Sequence, residues 1–195
     1  MAWTSTYNAT FNVLLVRQLL ALVQRDQRAA LDWVATLYQL GGGGLDAEGK
    51  LPSLVSYQLA PLTIPQFPAI LIAPMDNAFD REAVGTRHYS SRIYCAIAVA
   101  HQDSQVTAEL VQAYVIAVDA IFNTFDIAQL YVDQQLAIST PTLGAGGGVF
   151  WCQALQQGSV KDLFVASHSY DDIRRVKQQF ATAATLELIV DRVEV

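Results

Sequence analysis

Apolar residues recur at three- and four-residue spacing between positions 10 and 40: Phe11, Leu14, Leu15, Leu19, Leu22 and Val23, then Leu31, Val34, Leu37 and Tyr38. That period places them along one side of an α-helix. Asn8 or Thr10 can cap its start by accepting a bond from a free backbone N–H. The polar stretch Gln24 to Arg28 leaves one helix or two open, and Gly41 to Gly44 end the element, because consecutive glycines make a continuing helix entropically costly. From 87 to 101 the period changes to two. Ile93, Cys95, Ile97 and Val99 alternate with Tyr94, Ala96, Ala98 and Ala100, which predicts a strand with one bulky and one small face. Apolar residues on both faces imply burial on both sides, and the alanines would let a helix approach closely. The expected occupant of that face is the next helix, capped by Asp103 or Ser104 and carrying the stripe Val106, Leu110, Tyr114, Val118, Ile121, Phe122 and Phe125.

The remaining segments are less regular. Leu45 to Pro68 is a proline-rich connection, and such a length without regular structure marks an interface or a flexible segment. Pro68 to Pro74 is a short strand bounded by prolines. Met75 to Arg87 is polar and reads as a hairpin arm or an extended loop. Strands are expected around Gln135 to Thr140, Phe150 to Leu155 and Val160 to Ser169, with a glycine loop from Leu143 to Val149. Ser169 to Phe180 is polar and suits a short turn or helix. In Ala181 to Val195, Leu186, Leu188 and Val190 alternate with Glu187 and Asp191, a strand with one dry and one wet face. There is no internal repeat. The expectation is a single α+β domain over residues 1–195, a mostly antiparallel β-sheet packed against two main helices, with an extended arm and long loops. Within it, 1–44 is an N-terminal helical region, 45–67 the proline-rich connection and 68–195 the sheet-plus-helix core.

Charge sharpens this picture. Only 15% of the 195 residues are charged, against about 25% in ordinary soluble domains, so part of the surface is expected to be covered by other chains. A membrane is the competing explanation, with uncharged runs at Leu51 to Met75 and Gln134 to Val160. The first holds five prolines and the second five glycines, and a lipid-exposed helix would lose backbone hydrogen bonds there. The start MAWTSTYNATF lacks a basic region followed by an apolar stretch, so no secretory signal is expected. Cys95 and Cys152 are isolated and suit buried thiols in a reducing compartment. The net charge is −6 with three lysines, which argues against gripping nucleic acid through its phosphates. Residues 103–143 contain Asp103, Glu109, Asp119, Asp126 and Asp133 and no Lys or Arg, so most of the excess negative charge sits on one helix and its exit loop. A solvated helix face is the plain explanation.

Catalytic constellations are missing from the pattern. His88, His101 and His168 are far apart with no partner at ligand spacing, and there is neither an HExxH nor paired CxxC. The Gly-Ala-Gly within Leu143 to Val149 does not complete a dinucleotide fingerprint and is not followed by Lys-Ser/Thr. Ser167-His168-Ser169 lacks the flanking glycines of a nucleophile elbow. Asp171-Asp172 followed by Arg174-Arg175 reads as a solvated, self-neutralising turn. No catalytic, metal or cofactor residue is expected, and no enzymatic activity.

The order of elements is helix, strand, polar arm, long strand, amphipathic helix, then strands to the end. Together with FPAILIAP (Phe67 to Pro74), the arm, the block from Gly85 to Asn123 and the closing ATAATLELIVDRVEV, this order resembles the tail terminator family of long-tailed bacteriophages and the related head-tail joining and tail completion proteins. The likeness covers roughly residues 65–125 and the last fifteen. The stretch at 41–66 is longer than a compact member needs, and Gly144 to Gly158 looks like an added loop. The resemblance implies a structural virion protein, assembled in the host cytoplasm into a homo-oligomeric, usually hexameric ring at the neck. Such a ring caps the tail tube protein and docks the connector or adaptor, with the tail sheath as a further contact, and DNA passes through without specific binding. Ring flanks shared between neighbours would account for the shortage of charge. Under this reading the arm residues Asp76, Phe79, Asp80, Arg81, Glu82 and Arg87, or the loop residues Gly144, Gly146, Gly147 and Gly148, reach an adjacent ring or the lumen. The acidic face of Asp103, Glu109, Asp119 and Asp126 lines a lumen, a partner or solvent. The alternatives are a head-completion or connector-adaptor ring of the neck and, from another class, a small-molecule-binding α+β domain.

Overall fold

The computed structural model describes residues 11–38, 44–46, 49–57, 66–83, 86–123 and 160–194. They form an α+β fold in two layers, a mixed and mostly antiparallel six-stranded sheet with both helices on one face. In chain order the elements are α1 (Phe11–Tyr38), β1 (Val55–Tyr57), β2 (Ala69–Ala83), β3 (Thr86–His101), α2 (Ser104–Asn123), β4 (Val160–Tyr170), β5 (Arg174–Val176) and β6 (Gln179–Glu194). The strands lie side by side as β1-β2-β3-β6-β4, and β5 continues the β4 side of β6. Only β1 and β2 run parallel. The strands expected at 135–140 and 150–155 fall outside the described residues.

The alternation read in β3 sets the architecture, with one reversal. Ile93, Cys95, Ile97 and Val99 face the helices and are buried, opposite Leu188, Leu186, Ala184 and Thr182 of β6 and, for the first three, Pro74, Ile72 and Ile70 of β2. Leu110, Val111, Tyr114, Val118, Ile121 and Phe122 of α2 and Leu19, Val23, Leu31 and Val34 of α1 close over them in one core. The expectation that the next helix would lie on the alanine face is therefore wrong. A helix sits about 10 Å above a sheet, and it is the large aliphatic side chains that fill this gap. The alanines Ala96, Ala98 and Ala100 turn to the opposite face, where Ala69, Ala98 and Ala183 make a row across three strands.

Two further expectations change for clear reasons. The helix α1 runs unbroken through its polar stretch because those side chains hold other backbone. Gln27 Oε1 accepts the Leu54 N–H at 2.8 Å, and Arg28 Nη1 donates to the Leu51 carbonyl at 2.9 Å. That bracket fixes the proline-rich connection, part of which forms β1 instead of lacking regular structure. The strand from Pro68 does not stop at Pro74 but continues to Ala83, so Met75 to Arg87 is a hairpin arm, not a loop. Beyond Leu71, β2 has no second partner among the described residues, and a proline is tolerated on such an edge because the missing N–H is not needed. The polar segment 169–180 holds β5 and a two-residue turn at Lys177 and Gln178, with no helix. Lys177 has φ 57°, a left-handed conformation that hairpin turns demand and glycine adopts more easily.

Asp103 is the cap of α2. Its carboxylate accepts the N–H groups of Gln105 at 2.7 Å and Val106 at 3.1 Å, and its carbonyl takes the first helical bond from Thr107. The helix is apolar enough over its length to cross a membrane, but 56% of that window is buried within the protein, which explains its composition.

Candidate functional site

The arm begins where the core ends. Ile72 faces Cys95 and Pro74 faces Ile93; a bulge follows, and the ladder resumes at Asp76 opposite Arg92 and runs through Phe79 and Tyr89, Asp80 and His88, to Ala83 and Thr86. On its other side β3 stays paired with β6 as far as Arg87 and Glu194. Asp76, Phe79, Asp80, Arg81 and Glu82 therefore share the outer half of β2, and Arg87 stands at the start of β3. The sequence reading brought these residues together correctly as an arm. Gly144, Gly146, Gly147, Gly148 and Asp126 lie outside the described residues.

The remaining acidic residues do not act alike. Asp103 is engaged as the cap just described. Glu109 is exposed and accepts from Gln105 Nε2 at 3.2 Å; Asp119 accepts from Asn123 Nδ2 at 3.0 Å. Asp119 also stands near the end of β4, where partial burial and its negative charge raise the pKa of Tyr170. The two are on the outward side of α2, while the cap lies at its end.

A cavity of ≈ 180 Å³ opens at the end of the sheet where β3 leads into α2. Leu45, Pro52, Val99, Leu110 and the cis-linked Phe67–Pro68 line it, with His101 and Tyr114 as its polar groups. Both are engaged. Tyr114 donates its hydroxyl to the Pro52 carbonyl at 2.7 Å, and His101 Nδ1 accepts the Asp103 N–H at 3.1 Å. Burial raises the Tyr114 pKa, Arg28 opposes the rise and Asp46 adds to it. Gly44 belongs to the wall because a Cβ there would come within 2.7 Å of Leu110 Cδ2. Cys95, the described cysteine, is buried in the core, and desolvation pushes its thiol pKa far up, so it is inert as a nucleophile. Among the described residues no group of three His, Cys, Asp or Glu side chains could hold a metal ion.

Periodicity did not reveal the exposed apolar residues, which fall on opposite flanks. Trp33 and Leu37 of α1, Phe67 and Met75 lie toward the β1–β2 side; Phe164, Tyr170, Ile173 and Val176 lie along the β4–β5 side. Residues 166–179 are exposed throughout. No ion pair joins Asp171 or Asp172 to Arg174 or Arg175 among the described residues, so this turn is solvated but not self-neutralising through direct pairs. The signal for such an edge was the run of polar residues itself, which reads equally well as a loop. No protein-family model matches the chain, and no curated protein matches it in sequence.

Proposed function

We propose that this chain is a structural virion protein that assembles into a ring, usually hexameric in the family it resembles, at the head-tail joint of a tailed bacteriophage. There it caps the tail tube and offers a face to the connector, without bond-making chemistry. The arm carries this reading. Strands of 15 and 16 residues are about three times the usual length, and their outer half extends past the helix-covered core. An arm of that kind gains stability when a neighbouring subunit or ring covers it. The apolar residues on two opposite flanks support the same conclusion, because a head-to-tail ring joins two different surfaces of each protomer.

A connector-adaptor ring in the neck shares these features and is the second reading. A small-molecule site is less well supported, since the Tyr114 hydroxyl and Nδ1 of His101 are already bonded within the chain and the rest of the named lining is apolar. Electron microscopy of particles lacking this protein separates the three. Overlong or headless tails are the terminator outcome, and filled heads that leak DNA belong to the adaptor. Normal, infectious particles would overturn both. Copy number in the particle adds a second criterion, hexameric for a terminator and dodecameric for a portal-side adaptor.

A further inference from the structure

The ≈ 180 Å³ cavity where β3 leads into α2 is walled by several elements at once. Val99 comes from the helix-facing side of β3, Leu110 and Tyr114 stand one turn apart on the buried side of α2, and Phe67 and Pro68 lead into β2. Phe67 is 40% exposed whereas Val99 and Tyr114 are each 1% exposed, so the cavity reaches from solvent down to the core. A dry cavity of about 150 Å³ holds one benzene molecule. The volume here therefore suits a single ring with a small substituent.

Two polar side chains reach this space, and the bonds they already make fix what each has left to offer. His101 Nδ1 accepts the Asp103 N–H at 3.1 Å, so the proton of the neutral imidazole sits on Nε2, a donor with no acceptor among the described residues. Tyr114 gives its proton to the Pro52 carbonyl at 2.7 Å, and its oxygen keeps the capacity to accept. The cavity thus presents one donor and one acceptor between apolar walls. No Asp, Glu, Lys or Arg belongs to its described lining. The nearest charges that act on Tyr114, Arg28 and Asp46, do so in opposite senses, and Arg28 is itself held by Asp32 and the Leu51 carbonyl. Nothing there compensates the desolvation of an ionised ligand, which selects a neutral one.

We infer that this cavity is a binding site for one neutral aromatic ring bearing a hydroxyl, a phenol in chemical class. The ring fills the space between Phe67, Pro68, Val99 and Leu110, with Phe67 and Tyr114 as aromatic neighbours. Its hydroxyl accepts from His101 Nε2 and donates to the Tyr114 oxygen. A free phenolic compound and the tyrosine side chain of another polypeptide present the same group to these walls. The site goes beyond the ring reading and is independent of it.

The test is titration of the full-length chain with phenol, with toluene as a ring lacking the hydroxyl and benzoate as a charged one, followed through the methyl NMR signals of Val99 and Leu110. Phenol is expected to shift both signals with a Kd on the order of 1 mM, within reach of so small a ligand. Toluene should bind about tenfold or more weakly, because it leaves the donor and acceptor unanswered. His101→Leu should abolish the preference for phenol over toluene, and Leu110→Phe, which fills the cavity, should abolish binding of both. Circular dichroism establishes that each variant is folded, and if Leu110→Phe is not, the phenol-to-toluene ratio in His101→Leu still decides. N-acetyltyrosinamide separates the two sources: binding at the same methyl groups admits a tyrosine on a chain, and exclusion with phenol still bound restricts the site to free phenols. Unmoved Val99 and Leu110 signals, equal affinity for phenol and toluene, tighter binding of benzoate, or an unchanged preference in His101→Leu overturns the inference. None of these results touches the ring reading, which particle morphology and copy number decide.

Discussion

The two faces of strands β2, β3 and β6 are built from neighbouring residues of the same chain, yet they obey different rules. On one face Ile70, Ile72, Ile93, Cys95, Ile97 and Leu186 are sealed under α1 and α2. On the other, Ala69, Ala96, Ala98, Ala183 and Thr185 form a shallow surface on which Thr185 donates to the Tyr94 hydroxyl at 3.2 Å, and Arg92 lies 3.4 Å from Glu187. The first face concentrates the hydrophobic free energy of folding, since a buried isoleucine contributes about 1.5–3 kcal/mol over an exposed one. Alanine buries little area, so the second face adds less to the stability of the protomer, even though Ala69 and Ala98 are themselves buried at 2% and 8% exposure.

Ile97 and Ala98 are adjacent and point to opposite faces, which gives the largest test of this contrast. Ile97→Ala should cost about 2–5 kcal/mol in urea unfolding by opening a cavity under the helices. Ala98→Leu should cost about 1–3 kcal/mol, because Ala98 is only 8% exposed and the added atoms must push its neighbours aside; a loss as large as that of Ile97→Ala would mean that the two faces are packed equally tightly. Tyr114→Phe comes next. Losing its bond to Pro52 leaves a buried carbonyl without that donor, at about 1–2 kcal/mol.

The same substitution changes the response to alkali. Burial raises the Tyr114 pKa in the folded protein, whereas an unfolded tyrosine titrates near 10. The stability linked to its neutral hydroxyl is therefore complete below about pH 10 and is lost as the pH rises beyond it. Tm measured from about pH 8 to about pH 11 should fall in the native protein and fall less steeply in Tyr114→Phe. Buried Cys95 has the same sign and brings the onset of the loss down toward the thiol range.

Smaller effects belong to the ends of elements. Asp103→Ala removes the cap of α2 and should cost about 1 kcal/mol. Lys177→Gly should stabilise by up to about 1 kcal/mol, since glycine adopts the left-handed backbone without the steric cost carried by lysine. Both are read by thermal unfolding, and neither should alter the difference between the Ile97 and Ala98 variants.

The elements with strong periodicity were legible: β3, β6 and α2 follow from alternation or a helical stripe, because their burial is set by one neighbouring layer. Periodicity cannot say which side of a strand receives that layer when both sides are apolar, and so α2 was expected on the alanines. Pro74 looks like a terminus because the sequence does not show that, among the described residues, β2 has no second partner there. The polar residues 24–28 looked like an interruption of α1 because their partners, the backbone groups of Leu51 and Leu54, are more than twenty residues away. The arm was legible as a set of residues; the basic β5 edge was not, since a short exposed strand carries no hydrophobic rhythm.

The middle of the sheet is the pairing of β3 with β6, over fifteen consecutive positions from Arg87 and Glu194 to His101 and Phe180. Even its nearest partners are about eighty residues apart along the chain, which makes it a high-contact-order junction and a slow step in folding. Until β6 arrives, even with α1 and α2 in place, the core lacks Leu186, Leu188 and Val190 and the β2–β3 hairpin keeps the whole β6-facing edge of β3 unpaired, the kind of species that aggregates. Expression at lower temperature, or with a chaperone that shields that hairpin, should raise the soluble yield far more than any change at the surface.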